Sequence, residues 1–178
     1  MCYIVLSSGK RLDLRKPDGK LFTPEVVAQS LSRIPRFCGH ARWPWSVAAH
    51  SLLVAELAPP KYIGHALLHD VAEIVTGDIP APVKKLIWGP ELKMLEERIE
   101  YAAFGHYGLD ADDIAAADAV GDADEEALKI EMACFFGDSQ VPTGPSRVVG
   151  LLDCARDSFV AYMLLRNKLE SLLRADGE

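Results

Sequence analysis

Apolar side chains recur every three or four positions along most of the chain, the spacing that lines one face of a helix. Thr23-Pro24-Glu25 combines an N-cap, a first-turn proline and a first-turn acid, predicting a helix to about Ser32. Arg33 to Pro44, with two prolines, a glycine and two aromatics, reads as a structured loop. Ser46 caps the next helix, in which Val47, His50, Val54 and Leu57 share a face, and Pro59-Pro60 ends it. A helix from near Pro60 carries Ile63, Leu67, Asp70 and Ile74 on one stripe, and Thr76-Gly77-Asp78 closes it. Ile79 to Lys85 leaves room for one short helical turn. Glu91 to Tyr107 turns Leu92, Leu95, Ile99, Ala102 and Ala103 inward, and Gly108 stops it. Asp110 begins a helix that runs through Ile114, bends near Gly121 and continues to Phe136. Gly137 to Pro145 is turn-rich, and Val148 to Arg174 reads as one long C-terminal helix.

The first twenty residues break this pattern. The run from Tyr3 to Leu6, Ser7-Ser8-Gly9 and Pro17-Asp18-Gly19 predict one or two short strands and turns. Strands and helices do not alternate, which disfavours a Rossmann or barrel architecture. The expectation is an all-α bundle with a minor N-terminal β element, forming a single domain over residues 1–178.

Composition narrows the function classes. The chain has 178 residues, enough for one core without disulfide or structural-zinc support. Its net charge of −7 argues against a nucleic-acid polymer or an anionic membrane as partner. A phosphate-bearing ligand must then be small and met by local cations or a metal ion. Cys2, Cys38, Cys134 and Cys154 form no C-x-x-C pair, which excludes zinc-ribbon and thioredoxin-type motifs; all four are expected to be buried thiols. Without a signal peptide or a membrane-length apolar run, the expected location is cytoplasmic.

The chemistry concentrates in His69-Asp70-Val71-Ala72-Glu73 and its exit through Gly77-Asp78-Ile79-Pro80-Ala81-Pro82-Val83-Lys84. Glu73 follows Asp70 by three residues and His69 by four, so a helix turns all three toward one region. Burying them without a partner would cost several kcal/mol, a cost that a divalent cation removes. One helix cannot complete a coordination sphere. His50, on the apolar stripe of the preceding helix, and Asp124, in Gly121-Asp122-Ala123-Asp124 with Glu131 seven residues on, are the further candidates. Two imidazoles and two carboxylates suit zinc, manganese, iron, cobalt or nickel better than calcium or magnesium.

The order His50, His69-Asp70, Asp124 resembles the motif of the HD-domain metal-dependent phosphohydrolases. The similarity runs from about Gly9 to Glu131. It is nearest the compact branch of deoxynucleoside 5′-monophosphate phosphatases and phage dATP triphosphohydrolases, through Ser46-Val47-x-x-His50-Ser51 and His69-Asp70-x-x-Glu73…Gly77-Asp78-x-Pro80-x-Pro82-Val83-Lys84. The resemblance implies His50, His69, Asp70 and Asp124 as ligands of a zinc, cobalt or manganese ion, with Asp124 preferred to Asp122 and Asp118. It implies that Glu73 orients or deprotonates the attacking water. Asp78 would position the nucleophile or hold a second metal.

Arg33 to Trp45 gathers three arginines and three aromatics in an acidic chain. Guanidinium groups grip phosphate oxygens in a fork and aromatic rings stack on bases. Arg36-Phe37 resembles a nucleotide-contacting pair of the nucleotidases. Lys84 is a second phosphate candidate, and Pro82 stands where the phage enzymes narrow the base pocket. Trp43 and Trp45 read equally well as core anchors. Two substrate forms follow: a deoxynucleoside triphosphate, dATP first, split into deoxynucleoside and tripolyphosphate, or a deoxynucleoside 5′-monophosphate split into deoxynucleoside and phosphate. Ser8-Gly9-Lys10-Arg11-Leu12-Asp13-Leu14 and the Arg36–His40 run lean toward the first. The rival class is a nucleotide-binding module without turnover. The resemblance also implies a homo-oligomer.

Overall fold

The computed structural model describes residues 2–87, 89–137 and 146–175. The predicted turn-rich stretch lies, beyond Gly137, outside the described residues. The order is β1 (Tyr3–Val5), β2 (Arg11–Asp13), α1 (Pro24–Leu31), α2 (Val47–Leu57), α3 (Ile63–Leu68), α4 (Glu73–Thr76), α5 (Ala81–Ile87), α6 (Pro90–His106), α7 (Ile114–Phe136), α8 (Ser146–Cys154) and α9 (Ser158–Ala175). The chain is thus all-α with a small two-stranded antiparallel sheet that pairs Ile4 with Leu12. Among the described residues no helix is long and apolar enough to cross a membrane.

The capped helices begin where the chain says they should. Thr23 Oγ1 accepts the Val26 N–H, and Ser46 Oγ accepts the Ala49 N–H. α2 is apolar on every side, and every residue from Val47 to Ala55 is buried. Such a helix belongs inside a bundle. It packs against α3, α7, α8 and α9 and touches α1. His50, inside that buried stretch, is therefore carried into the interior.

Three predicted helices differ from the observed ones. The helix from Pro60 does not run unbroken to Thr76: it pauses at His69–Ala72. His69 Nδ1 lies 2.8 Å from the Ala66 carbonyl, the acceptor an α-helix would offer to the Asp70 N–H. The backbone there winds tighter, with Val71 N–H bonded to Leu68 O and Glu73 N–H to Asp70 O. α7 starts at Ile114, not at Asp110. Asp113 is its cap, accepting the Ala116 N–H at 3.0 Å, whereas Asp110 accepts the Asp112 N–H in a turn, and α7 continues through Gly121. The C-terminal helix is two: Asp157 accepts the Phe159 N–H at 2.8 Å and starts α9 afresh after α8. The cysteines also differ from the expected buried thiols. Only Cys134 is buried among the described residues, because Cys2 precedes a strand, Cys38 lies in a surface turn and Cys154 ends a helix.

A close backbone approach sets the position of α6. Gly19 lies against it so tightly that an added Cβ would run into the Ala102 carbonyl. Gly19→Ala is expected to cost about 1–3 kcal/mol, read as a lower midpoint in urea. An unchanged midpoint would show that this approach is not a constraint.

Candidate metal centre

Four elements deliver the centre. α2 brings His50; the tight turn after α3 brings His69 and Asp70; α7 brings Asp124 and, two turns later, Glu131; the loop before α2 brings Arg36 and Trp45. That loop is pinned at its base by a bridge between Pro35 and Ser46 and by an Arg36 N–H bond to the Trp45 carbonyl.

The ligand atoms of His50, His69 and Asp124 lie within 4.8 Å of one another. His50 Nε2 is 2.9 Å from Asp124 Oδ1 and 3.7 Å from Asp70 Oδ2, and Asp70 Oδ2 is 3.2 Å from His69 Nε2. Asp118 and Asp122, the alternatives to Asp124, are exposed.

The tautomers follow from the second ring nitrogens. His50 Nδ1 lies 2.8 Å from Glu131 Oε1, and His69 Nδ1 lies 2.8 Å from the Ala66 carbonyl. Both neighbours are acceptors, so each Nδ1 carries the proton and donates it. Each Nε2 is then the atom that takes up either a second proton or a metal ion. Both Nε2 atoms are buried and make no hydrogen bond, although carboxylate oxygens stand within 4 Å. Lone pairs facing anionic oxygens repel unless a positive charge lies between them. A divalent cation bound by two imidazoles and two carboxylates is such a charge, so the residues fit one.

The charges report the same field. Burial pulls the His69 pKa down, but Asp70 outweighs it and holds the imidazole up at about 9. Burial would raise the Asp70 carboxyl, yet His69 and then His50 drive it well below its usual range. Burial likewise opposes the drop at Asp124, which the His50 ring 2.9 Å away produces. A potential that favours a proton on imidazole favours a divalent cation in the same place.

Glu131 is a site residue to which the sequence pattern assigns no role. It is fully buried, and its carboxylate gathers three donors: His50 Nδ1 at 2.8 Å, Trp45 Nε1 at 2.6 Å and Arg36 Nη2 at 3.1 Å. Burial would raise its pKa, but His50 and Arg36 hold it below the ordinary value, so it remains an acceptor for all three. The available signal was its spacing. It lies seven residues after Asp124, with buried Ala127 between them on the same face.

Glu73 is buried, with Oε2 unpartnered, and burial, then Asp70 and Asp78, push its pKa up to about 8. Asp78 accepts the Phe37 N–H at 3.1 Å. That bond anchors a strained turn in which Phe37 and Cys38 hold left-handed φ angles of 54° and 51°.

The predicted substrate residues divide. Arg36 is brought to the centre, but its guanidinium is engaged by Glu131 and lies 3.7 Å from Asp70. The Phe37 ring packs edge-on against Phe135 and Phe136. Lys84 pairs with Glu96 at 3.2 Å and its charge also reaches Glu73. Pro82 is exposed near the start of α5, apart from the groups gathered here. Trp45 is a buried anchor with a polar task, and Trp43 is half-buried with its N–H unpartnered.

A cavity of about 270 Å³ opens beside the centre, with His69 and Asp124 in its lining. A cleft of about 330 Å³ between Gln29, Arg33 and Tyr162 holds none of these side chains.

Residues 38–102 match the model of a family described as HD domain. That stretch contains His50, His69, Asp70, Glu73 and Asp78, and stops short of Asp124 and Glu131. The match supports an HD-domain reading of this part of the chain. An uncharacterised Escherichia coli K12 protein, YfdR, is 38% identical over 109 residues, 61% of this chain and 60% of that protein. An uncharacterised Rhodobacter capsulatus protein is 40% identical over 114 residues, 58% of this chain and 57% of its own length. The match to this chain thus spans less than two thirds of either relative, and neither name states an activity.

Proposed function

We propose that this chain is a metal-dependent phosphohydrolase acting on deoxynucleotides, with His50, His69, Asp70 and Asp124 as the ligands of one zinc, manganese or cobalt ion. The observation that carries this reading is the pair of buried imidazole Nε2 atoms aimed at two carboxylates. When bound, a divalent cation supplies Lewis acidity toward a phosphoryl oxygen and lowers the pKa of water.

The chain's own residues supply the rest. Glu73, buried with a pKa of about 8, is suited to take a proton from water once it ionises, so its contribution as a base grows as pH rises through about 8. Glu131 orients His50 so that its Nε2 faces Asp124 and Asp70. Arg36 balances Glu131 and Asp70 and stands ready for a phosphate oxygen. A module that only bound a nucleotide would have no use for Glu73 in this state.

Charge ranks the two substrate forms. Asp70, Asp78, Asp124 and Glu131 converge here against the positive charges of Arg36 and Lys84. A phosphomonoester brings about two negative charges and a triphosphate roughly twice that. The balance favours the 5′-monophosphate. The triphosphate remains the second reading, supported by the likeness of Ser8–Leu14 and Arg36–His40 to the phage enzymes.

Incubation with Mn²⁺ or Co²⁺ and a panel of deoxynucleoside mono- and triphosphates, followed by product separation, tests this. Orthophosphate release from monophosphates is expected. Tripolyphosphate would select the second reading, and no product with a metal-loaded protein would reject hydrolysis. The reading also carries the homo-oligomer. A monomer mass in sedimentation at micromolar concentration would remove that part.

A further inference from the structure

The cavity beside the metal centre has a chemical character of its own. Phe104, Ala117 and Val120 give it apolar walls, and its size suits a small flat ligand. Apart from His69 and Asp124 of the metal centre, its polar side chains are Glu100, His65, Asp110 and Asp113. Asp110 and Asp113 are already engaged, accepting the Asp112 and Ala116 N–H groups. His65 Nε2 lies 3.1 Å from the Asp110 carbonyl, so it donates, and Nδ1 is left as a bare acceptor. That Nδ1 is buried and unpartnered. Glu100 is half-buried at the cavity wall, and burial, then Glu96, raise its pKa to about 7. Above that pH the free functions of the cavity are acceptors.

A ligand that fills it must present hydrogen-bond donors from a flat ring. Nucleobases differ in this respect. Guanine places a ring N–H beside an amino group, two adjacent donors that match the two oxygens of one carboxylate in a fork. Adenine and cytosine set their amino group beside a bare ring nitrogen, and thymine flanks its one N–H with carbonyls. An acceptor set against an acceptor leaves a buried group unpaired, and discrimination of this kind is strong. We infer that this cavity is a base pocket in which Glu100, supported by His65, selects guanine. The inference rests on the nucleotide reading above and reverses the adenine preference implied by the phage resemblance.

Two measurements separate the pocket from the hydrolysis. The first is binding of deoxyguanosine, deoxyinosine, deoxyadenosine and thymidine to the metal-free protein, by ligand-observed NMR at about pH 8.5, above the pKa of Glu100. Nucleosides lack phosphate and do not call on the metal. The second is the initial rate on the matching monophosphates with Mn²⁺. Deoxyguanosine is expected to bind roughly ten-fold or more tighter than deoxyinosine, which lacks the amino group, and than deoxyadenosine. Glu100→Gln is expected to erase that difference. Equal affinities, an adenine preference, or a guanine preference that survives Glu100→Gln would overturn the pocket. Guanine-selective binding without any hydrolysis would uphold the pocket and reject the phosphohydrolase. Hydrolysis without base preference would do the reverse.

Discussion

Replacing Glu131 with alanine is expected to remove about 3–5 kcal/mol of stability, enough to unfold many domains of this size. The loss would not come from a broken surface pair. Three donors, the Arg36 guanidinium, the Trp45 N–H and the His50 Nδ1–H, would be left in the interior without their acceptor. Glu131→Gln keeps the shape and one acceptor oxygen. It is expected to fold and to bind Mn²⁺ about 10–100-fold more weakly, as groups that orient a metal-ligating histidine do when altered. Urea denaturation of the first variant and calorimetric titration of the second check this. The pH sign follows from the lowered pKa. Its stabilisation is complete above the unfolded value of 4.5 and is lost as pH falls through the folded one, so the metal-free protein should weaken in acid. Wild-type stability in Glu131→Ala would show that the carboxylate holds nothing together.

The second large effect is expected at Glu73, with opposite signs for stability and rate. The folded protein holds this carboxyl protonated up to about pH 8, whereas the unfolded chain releases the proton at about 4.5. A group of this kind costs stability progressively as pH rises from the lower value through the higher one. Glu73→Gln keeps the shape and cannot ionise. In protein stripped of metal by a chelator, it is expected to raise the melting temperature at pH 8 and leave it unchanged near pH 4.5. With Mn²⁺ restored, the same variant is expected to lose about 10²–10⁴-fold in hydrolysis while retaining the metal. Melting curves at the two pH values and initial rates decide it. A variant as active as wild type, with the same melting temperature at both values, would leave Glu73 without a role.

What could be read in advance was what local chemistry determines. The caps at Thr23 and Ser46 were visible because a short polar side chain before an apolar run has one obvious use. The face shared by Val47, His50, Val54 and Leu57 already turned His50 toward the interior, although the burial of the whole of Val47–Ala55 goes beyond that one face. The turn at His69–Ala72 was not visible, because it depends on a side chain taking a backbone acceptor, a competition that spacing does not record. The break before α9 had a local signal in Asp157-Ser158, hidden by the continuous apolar stripe on either side. Glu131 was hidden differently. An acid in an acidic helix reads as solvated until the fold shows that Arg36, Trp45 and His50, from distant parts of the chain, converge on it. Glu100 and His65 escaped notice for that reason too, since a cavity exists only after α3, α6 and α7 have met.

The account depends on a cation among His50, His69, Asp70 and Asp124. A crystal of the protein grown with Mn²⁺ and measured at the manganese absorption edge tests it most directly. The prediction is one strong anomalous peak at coordination distance, roughly 2.0–2.2 Å, from the Nε2 atoms of both histidines and from a carboxylate oxygen of each aspartate. A map with no peak there, or with the manganese held elsewhere on the chain, would contradict it.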